Sequence, residues 1–176
     1  MRKVAAVVVA VLAAAGAALL AGAQDDLAKR EAALGALLVE KLGGEAAAIR
    51  VMLSGGKAIL MGEVESRAVQ ELAEEVALFA EGVTSVDNQV TARRDPTLGK
   101  GLLANEAGDS ELEATVKMRL RAEIGAHAEK IEVEAVQGWV SLRGVAPEKA
   151  RLDIALATAA GTRGVKKVID LLRVAE

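Results

Sequence analysis

Few residues of this chain could do chemistry, and those few are not gathered. His127 is the single histidine and there is no cysteine. A histidine-cluster or thiolate metal site, a thiol nucleophile, a disulfide and a lipidated N-terminal cysteine are therefore excluded. Ser54, Ser66, Ser85, Ser110 and Ser141 have no base partner in the pattern around them. Glu74-Glu75 and Glu132/Glu134 are carboxylate pairs, but solvated helix and strand faces account for them, and acid–base work needs a pocket that a core of small residues does not supply. Gly55-Gly56 is not a phosphate loop, because neither a Lys-Ser/Thr pair nor a helix follows it. The chain is expected to be no enzyme and to hold neither metal nor cofactor.

Binding is the chemistry these residues do support. Lys117 and Arg121 stand four apart, on one face of a helix, with Arg119 between them and Met118 alongside. A cationic face with an apolar neighbour attracts anionic headgroups, at ~1 kcal/mol per Lys or Arg near such a surface. The competing reading is a solvated helix face paired locally with Glu113 and Glu123. Trp139 is predicted to point outward from a strand whose Val140 and Leu142 point inward. An exposed Trp beside basic residues suits a membrane interface; cross-strand packing over the turn is the alternative.

These side chains belong to a module used twice. IEVEAVQGWVSLRG over 131–144 repeats IRVMLSGGKAILMG over 49–62, 82 positions earlier and without a gap. The offset carries Gly56 to Gly138, Gly62 to Gly144, Gly82 to Gly164, Leu38 to Leu120 and Leu72 to Ile154. In the first copy, Leu34, Leu38 and Leu42 give a helix stopped by Gly43-Gly44. Ile49, Val51 and Leu53 alternate into a strand, Gly55-Gly56 turns, and Ala58 and Leu60 return on the same face. Ala68, Leu72, Val76 and Ala80 predict a helix over 65–81, closed by Gly82, and 83–92 is a third strand. The second copy opens on Ser110 and Glu113 as a capping box. Val116, Leu120 and Ile124 form its first stripe, Pro147 starts its second helix, and Ala150, Ile154, Thr158 and Thr162 form the second stripe. The fold class is α+β: two tandem αββαβ modules over 27–92 and 110–175, joined by a linker over 93–109 whose Leu98, Leu102 and Leu103 suit a segment lying against a domain.

Residues 1–23 read as a signal peptide: Arg2 and Lys3, an apolar run over 4–20, and Ala21-Gly22-Ala23 as the cleavage site. Cleavage after Ala23 gives an exported chain, resident in the periplasm if the cell has two membranes. It leaves 20 basic residues (22 less Arg2 and Lys3) against 25 acidic ones, which disfavours nucleic acid as a partner.

The copies differ in two ways that bear on binding. Residues 27–92 hold six basic and ten acidic side chains, while 109–174 hold eleven and ten. Lys117, Arg119 and Arg121 replace Gly35, Leu37 and Val39. The outward strand positions of the first copy are Met52, Ile59 and Met61, where the second has Glu134, Ser141 and Arg143. An apolar outer face needs a cover. The linker leucines, the second copy or a partner, including a second molecule, are the expected covers.

The segments VQGWVSLRG and RGVKKVIDLLRV, their counterparts SGGKAILMG and EGVTSVDNQV, and the opening SELEATVKMRLRAE resemble the BON-domain family, named for osmotic-stress and nodulation proteins of bacteria. The resemblance spans essentially the whole chain after residue 23. It implies three-stranded mixed sheets packed on two helices each, an envelope location, and a role in binding phospholipid or maintaining the envelope under osmotic stress, without catalysis. Family members of this layout often carry a lipidated cysteine, so membrane contact here is expected to be peripheral. The expected lipid-binding residues are then Lys117, Met118, Arg119, Arg121 and Trp139. The alternative is a protein-interaction or chaperone-like module of the envelope.

Overall fold

The computed structural model of the chain describes residues 24–93 and 102–175. The signal peptide, its cleavage site and Leu98 lie outside the described residues.

Helix α1, over residues 24–42, buries Leu34, Leu38 and Leu42 along one stripe. Gly43, at φ 101°, ends it and leads into a 3-10 turn, Gly44–Ala48. Strands β1 (Arg50–Ser54) and β2 (Lys57–Val64) pair antiparallel, with Val51 opposite Leu60 and Ser54 opposite Lys57. Helix α2 (Arg67–Phe79) then crosses over, so that β3 (Ser85–Ala92) lies parallel to β2. The second copy repeats the order: α3 (Leu102–Ile124), a 3-10 turn (Gly125–Lys130), β4 (Ile131–Val136), β5 (Trp139–Ala146), α4 (Lys149–Ala160) and β6 (Lys167–Val174). Each sheet places its middle strand second in sequence, β1-β2-β3 and β4-β5-β6.

The offset of 82 extends to individual hydrogen bonds. Leu53 N donates to Glu31 Oε1 at 2.8 Å, and Ala135 N donates to Glu113 Oε1 at 3.1 Å. In both copies a glutamate of the first helix thus satisfies an edge-strand amide that has no sheet partner. Thr84 N meets Gly56 O as Lys166 N meets Gly138 O, each at 2.8 Å. Gly62 and Gly144 are the second strands' closest approach to the 3-10 turns. At φ 152° and 145°, an added Cβ would collide with the carbonyl oxygens of Ala48 and Lys130.

Three local expectations are corrected. Helix α3 starts at Leu102, so the second half of the linker is helical and Ser110 lies inside the helix instead of capping it. Gly108 alone, flanked by the helix formers of LLANEA, does not break the run. Glu113, freed from capping, serves Ala135 N. The α4 stripe agrees only in part with the expected one: Thr158 and Thr162 are buried, but Ala150 is exposed and Ile154 is 40% exposed, and Leu152, Ala155 and Ala159 carry the apolar core contact. The second helix of the first copy is shorter than 65–81, because Ala80 already adopts an extended backbone.

The copies are not separate beads. Val136, Ile169 and Leu171, all on the outer face of the second sheet, are buried in one cluster with the core of the first copy. Helix α2 makes this possible. Its stripe Val69, Ala73, Ala77 is matched by Arg151, Ala155 and Ala159 of α4, of which both alanines are buried. Its stripe Ala68, Leu72, Val76 is fully buried, whereas of the matching residues Ala150 and Ile154 are exposed and only Thr158 is buried. The difference locates the extra cover, namely the outer face of the β4-β5-β6 sheet.

Gly144→Ala is expected to lower stability by about 1–3 kcal/mol through a backbone conformation that only glycine adopts easily, and Gly62→Ala by a similar amount, both read as a fall in Tm. Gly35→Ala, where an added methyl meets open space, should leave Tm unchanged or raise it, since alanine is the better helix former.

Candidate functional site

Helix α3 carries the candidate binding face. Its inner stripe, Val116, Leu120 and Ile124, is buried, so the residues between project outward. Met118 is 68% exposed. Lys117, Met118 and Arg121 line a shallow depression whose remaining wall is Ala114, Ala128, Glu129 and Ile131. Both cations have local carboxylates: Lys117 Nζ lies 3.4 Å from Glu113 Oε2, and Arg121 Nη2 lies 3.2 Å from Glu129 Oε1. Glu129, and not Glu123, is the partner of Arg121. Exposed pairs of this kind are worth little and are readily exchanged for another anion.

Arg119 is not part of that depression. Its guanidinium donates to Gly161 O at 2.7 Å and Thr162 Oγ1 at 3.0 Å, capping the C-terminus of α4. A cation there satisfies a free carbonyl and opposes the negative end of the helix dipole.

Trp139 does alternate outward, opposite Val136, but the outward face at that point is the seam between copies. It is half-buried against the first copy's core, and Lys167 Nζ sits 4.4 Å from its ring centroid. The same ammonium donates to Leu42 O at 2.9 Å, at the C-terminus of α1. Arg173 does the equivalent for α2: it donates to Phe79 O at 2.6 Å and lies 4.8 Å from the Phe79 ring. Two cations of β6 therefore cap both helices of the first copy. Ser141 is buried, Glu134 and Arg143 are half-buried under α2, and Arg143 bonds Glu75 of α2 at 3.0 Å as well as Glu132.

The sequence reading missed this seam. The signal that could have found it is β6, whose outward Ile169 and Leu171 stand where β3 has Asp87 and Gln89. The outward face of the first sheet keeps the expected apolar triad, with Met52 49% exposed and Ile59 and Met61 half-buried. The second copy's buried cover lies on α2, not on this triad.

Among the described residues the candidate acids, serines and histidine are not all brought together at one point. His127 is exposed in the 3-10 turn. Among the described residues, no group of His, Asp and Glu is placed to hold a metal ion. Among the described residues the strongly shifted carboxyl is Glu134: burial under the seam raises it from 4.5 to about 7, with Glu75, Glu113 and Glu71 adding to it and Arg143 opposing it. Burial likewise raises Glu75, partly offset by Arg143.

Comparison with known proteins follows the same architecture. The model of the BON domain matches twice, at residues 25–94 and 108–176. The chain belongs to the BON-domain family. Among BON-related sequences, the 21 kDa hemolysin of Actinobacillus pleuropneumoniae is 33% identical over 129 residues, 73% of this chain and 63% of that protein. The osmotically-inducible protein Y of Escherichia coli (strain K12) is 34% identical over 114 residues, 65% of this chain and 55% of that protein. An uncharacterised protein in the gshII 5' region of Anaplasma centrale is 30% identical over 125 residues, 71% of this chain and 80% of that protein. The chain thus spans somewhat over half the length of the first two.

The raised Glu134 fixes a sign. Its carboxyl holds a proton more tightly folded than unfolded, so stability is greatest below about 4.5 as far as this group is concerned and declines as pH rises to about 7. Glu134→Gln is expected to flatten that decline and to raise Tm by a few degrees at pH 8 relative to the parent, measured by thermal unfolding across pH. An unchanged slope between pH 5 and 8 would contradict it.

Proposed function

We propose that this BON protein is an exported, non-enzymatic envelope protein that binds anionic phospholipid peripherally through α3 of its second copy, in support of envelope integrity or osmotic-stress tolerance. The observation that carries the reading is Met118, 68% exposed between Lys117 and Arg121 on one helix face. An apolar side chain held at the surface between two cations is matched by a surface with acyl chains beneath anionic headgroups. The likeness to a protein named as osmotically inducible supports the physiological setting. Among the described residues no helix is long and apolar enough to cross a membrane, which fits peripheral contact. Arg119 and Trp139 enter this reading as supports, the first holding α4 and the second holding the seam.

A second reading is favoured by the exposure of Met52 beside Ile59 and Met61. On that reading the first sheet is a docking face for protein, and binding is lost on Met61→Glu while vesicles are ignored.

Flotation with anionic vesicles at low salt tests the first reading. The protein should float with phosphatidylglycerol-containing vesicles and not with phosphatidylcholine alone, and added salt should release it. Lys117→Gln with Arg121→Gln should weaken binding about tenfold or more, from ~1 kcal/mol per cation. Met118→Ala should weaken it at unchanged charge. Arg119→Gln should lower Tm yet leave vesicle binding in place. Absence of binding to anionic vesicles at low salt rules the proposal out.

A further inference from the structure

The contact between the two copies is heterologous: a helix face of one module meets the outer sheet face of the other. One chain therefore contains the contact once and, at its two ends, each half of it again. The free helix half is on α4, where Ala150, Ile154 and Ala157 are exposed, Ile154 by 40%. The free sheet half is the outer face of the first copy, with Met52 49% exposed and Ile59 and Met61 half-buried.

The two halves correspond in position, and at the point of the seam's ion pair they also match in chemistry. Across the internal seam, Glu75 of α2 bonds Arg143 of β5 at 3.0 Å. Carried over by the offset of 82, this ion pair becomes Ala157 on α4 and Met61 on β2. Both members have become apolar together. Glu134 and Ser141, also under α2, become Met52 and Ile59, and Leu72, buried on α2, becomes Ile154, so that helix position remains apolar. A sheet face that had changed alone would leave a charge opposite an apolar group; here the change is concerted on two surfaces more than 80 residues apart in sequence.

We propose that a second copy of this chain completes both halves, α4 of one molecule docking on the outer sheet face of the first module in the next. The contact continues the internal seam from one molecule to another. Because it joins unlike surfaces, it does not close at a dimer and leaves a free half at each end. It lacks several supports of the internal seam: Ser54, Asp87 and Gln89 stand in place of Val136, Ile169 and Leu171, Lys57 in place of Trp139, and Gly161 and Thr91 in place of Phe79 and Arg173. The association is consequently reversible and concentration-dependent. The proposal is independent of phospholipid binding, which uses α3.

Sedimentation velocity and multi-angle light scattering on the purified chain test it. The weight-average mass should climb with concentration past the dimer without a plateau. Ile154→Asp removes the helix half and Met61→Glu the sheet half, and each alone should be monomeric. An equimolar mixture of the two retains one complementary pair and should give dimers and nothing larger. Met52→Glu repeats the sheet-side test at a largely exposed position, so that loss of association there is not loss of folding, and circular dichroism of each variant checks this. A parent chain that stays monomeric at all concentrations, single variants that associate as the parent does, or a mixture that stays monomeric would each overturn the proposal.

Discussion

Helix α2 is buried from two sides, and the arrangement of the molecule depends on it. Val69, Ala73 and Ala77 on one stripe and Ala68, Leu72 and Val76 on the next are all buried, in one cluster with Val136, Ile169 and Leu171 of the second copy. The alanines on both stripes keep side chains short, so that two backbones approach the helix closely and little volume is left unfilled. A module of about 60 residues buries only ~60% of its unfolded surface by itself. Sharing one helix between two sheets is the means by which this chain, with almost no aromatic residues, enlarges its core. Val136, Ile169 and Leu171 accordingly join the first copy's cluster and not that of their own module.

The same seam accounts for much of the charge asymmetry between the copies. The excess of basic residues in the second copy invites a reading as a membrane-facing surface. Arg143, Lys167 and Arg173 are instead committed to Glu75, to Leu42 O and to Phe79 O, and Arg119 is committed to the end of α4. Three of these four groups sit at helix C-termini, where a cation both satisfies a carbonyl and meets the negative end of the dipole. Lys117 and Arg121 on α3 are not drawn into the seam; their partners are the half-buried Glu113 at 3.4 Å and the exposed Glu129 at 3.2 Å.

How much of this was legible in the sequence depends on the kind of signal. The duplication was, because glycines at turns and close approaches recur in register: Gly62 and Gly144 cannot carry a Cβ beneath their 3-10 turns, so their spacing is fixed by sterics. The αββαβ order and the alternation on each strand followed from period-two and period-four patterns. The seam was not legible, because the Ala68–Leu72–Val76 stripe has the same periodicity whether its own sheet or another one covers it. The start of α3 was missed for a related reason: Ser110 and Glu113 have the composition of a capping box, but a cap is only needed where the preceding residues leave the helix, and LLANEAGD does not. Trp139 was placed correctly as outward, yet outward from a strand is toward solvent only when no other module lies there.

Two modules of one fold that meet by unlike faces have a problem of register, since either helix could dock on either sheet. The divergence between the copies resolves it by charge. Were α2 to dock on the first-copy sheet of a neighbour, Glu75 would be buried over Met61, and were α4 to dock on the second-copy sheet, Arg143 would face Ala157. The first mispairing removes a half-buried carboxylate from water with no partner, which costs several kcal/mol, and the second leaves Arg143 with Glu132 alone, whereas the native pairing satisfies both Glu75 and Arg143. The seam's ion pair adds little to stability beyond what an apolar pair would give. Its effect is to make the intramolecular arrangement distinguishable from its alternatives, and the raised carboxyl of Glu134 beneath α2 is the strain that goes with placing acidic groups at such a junction.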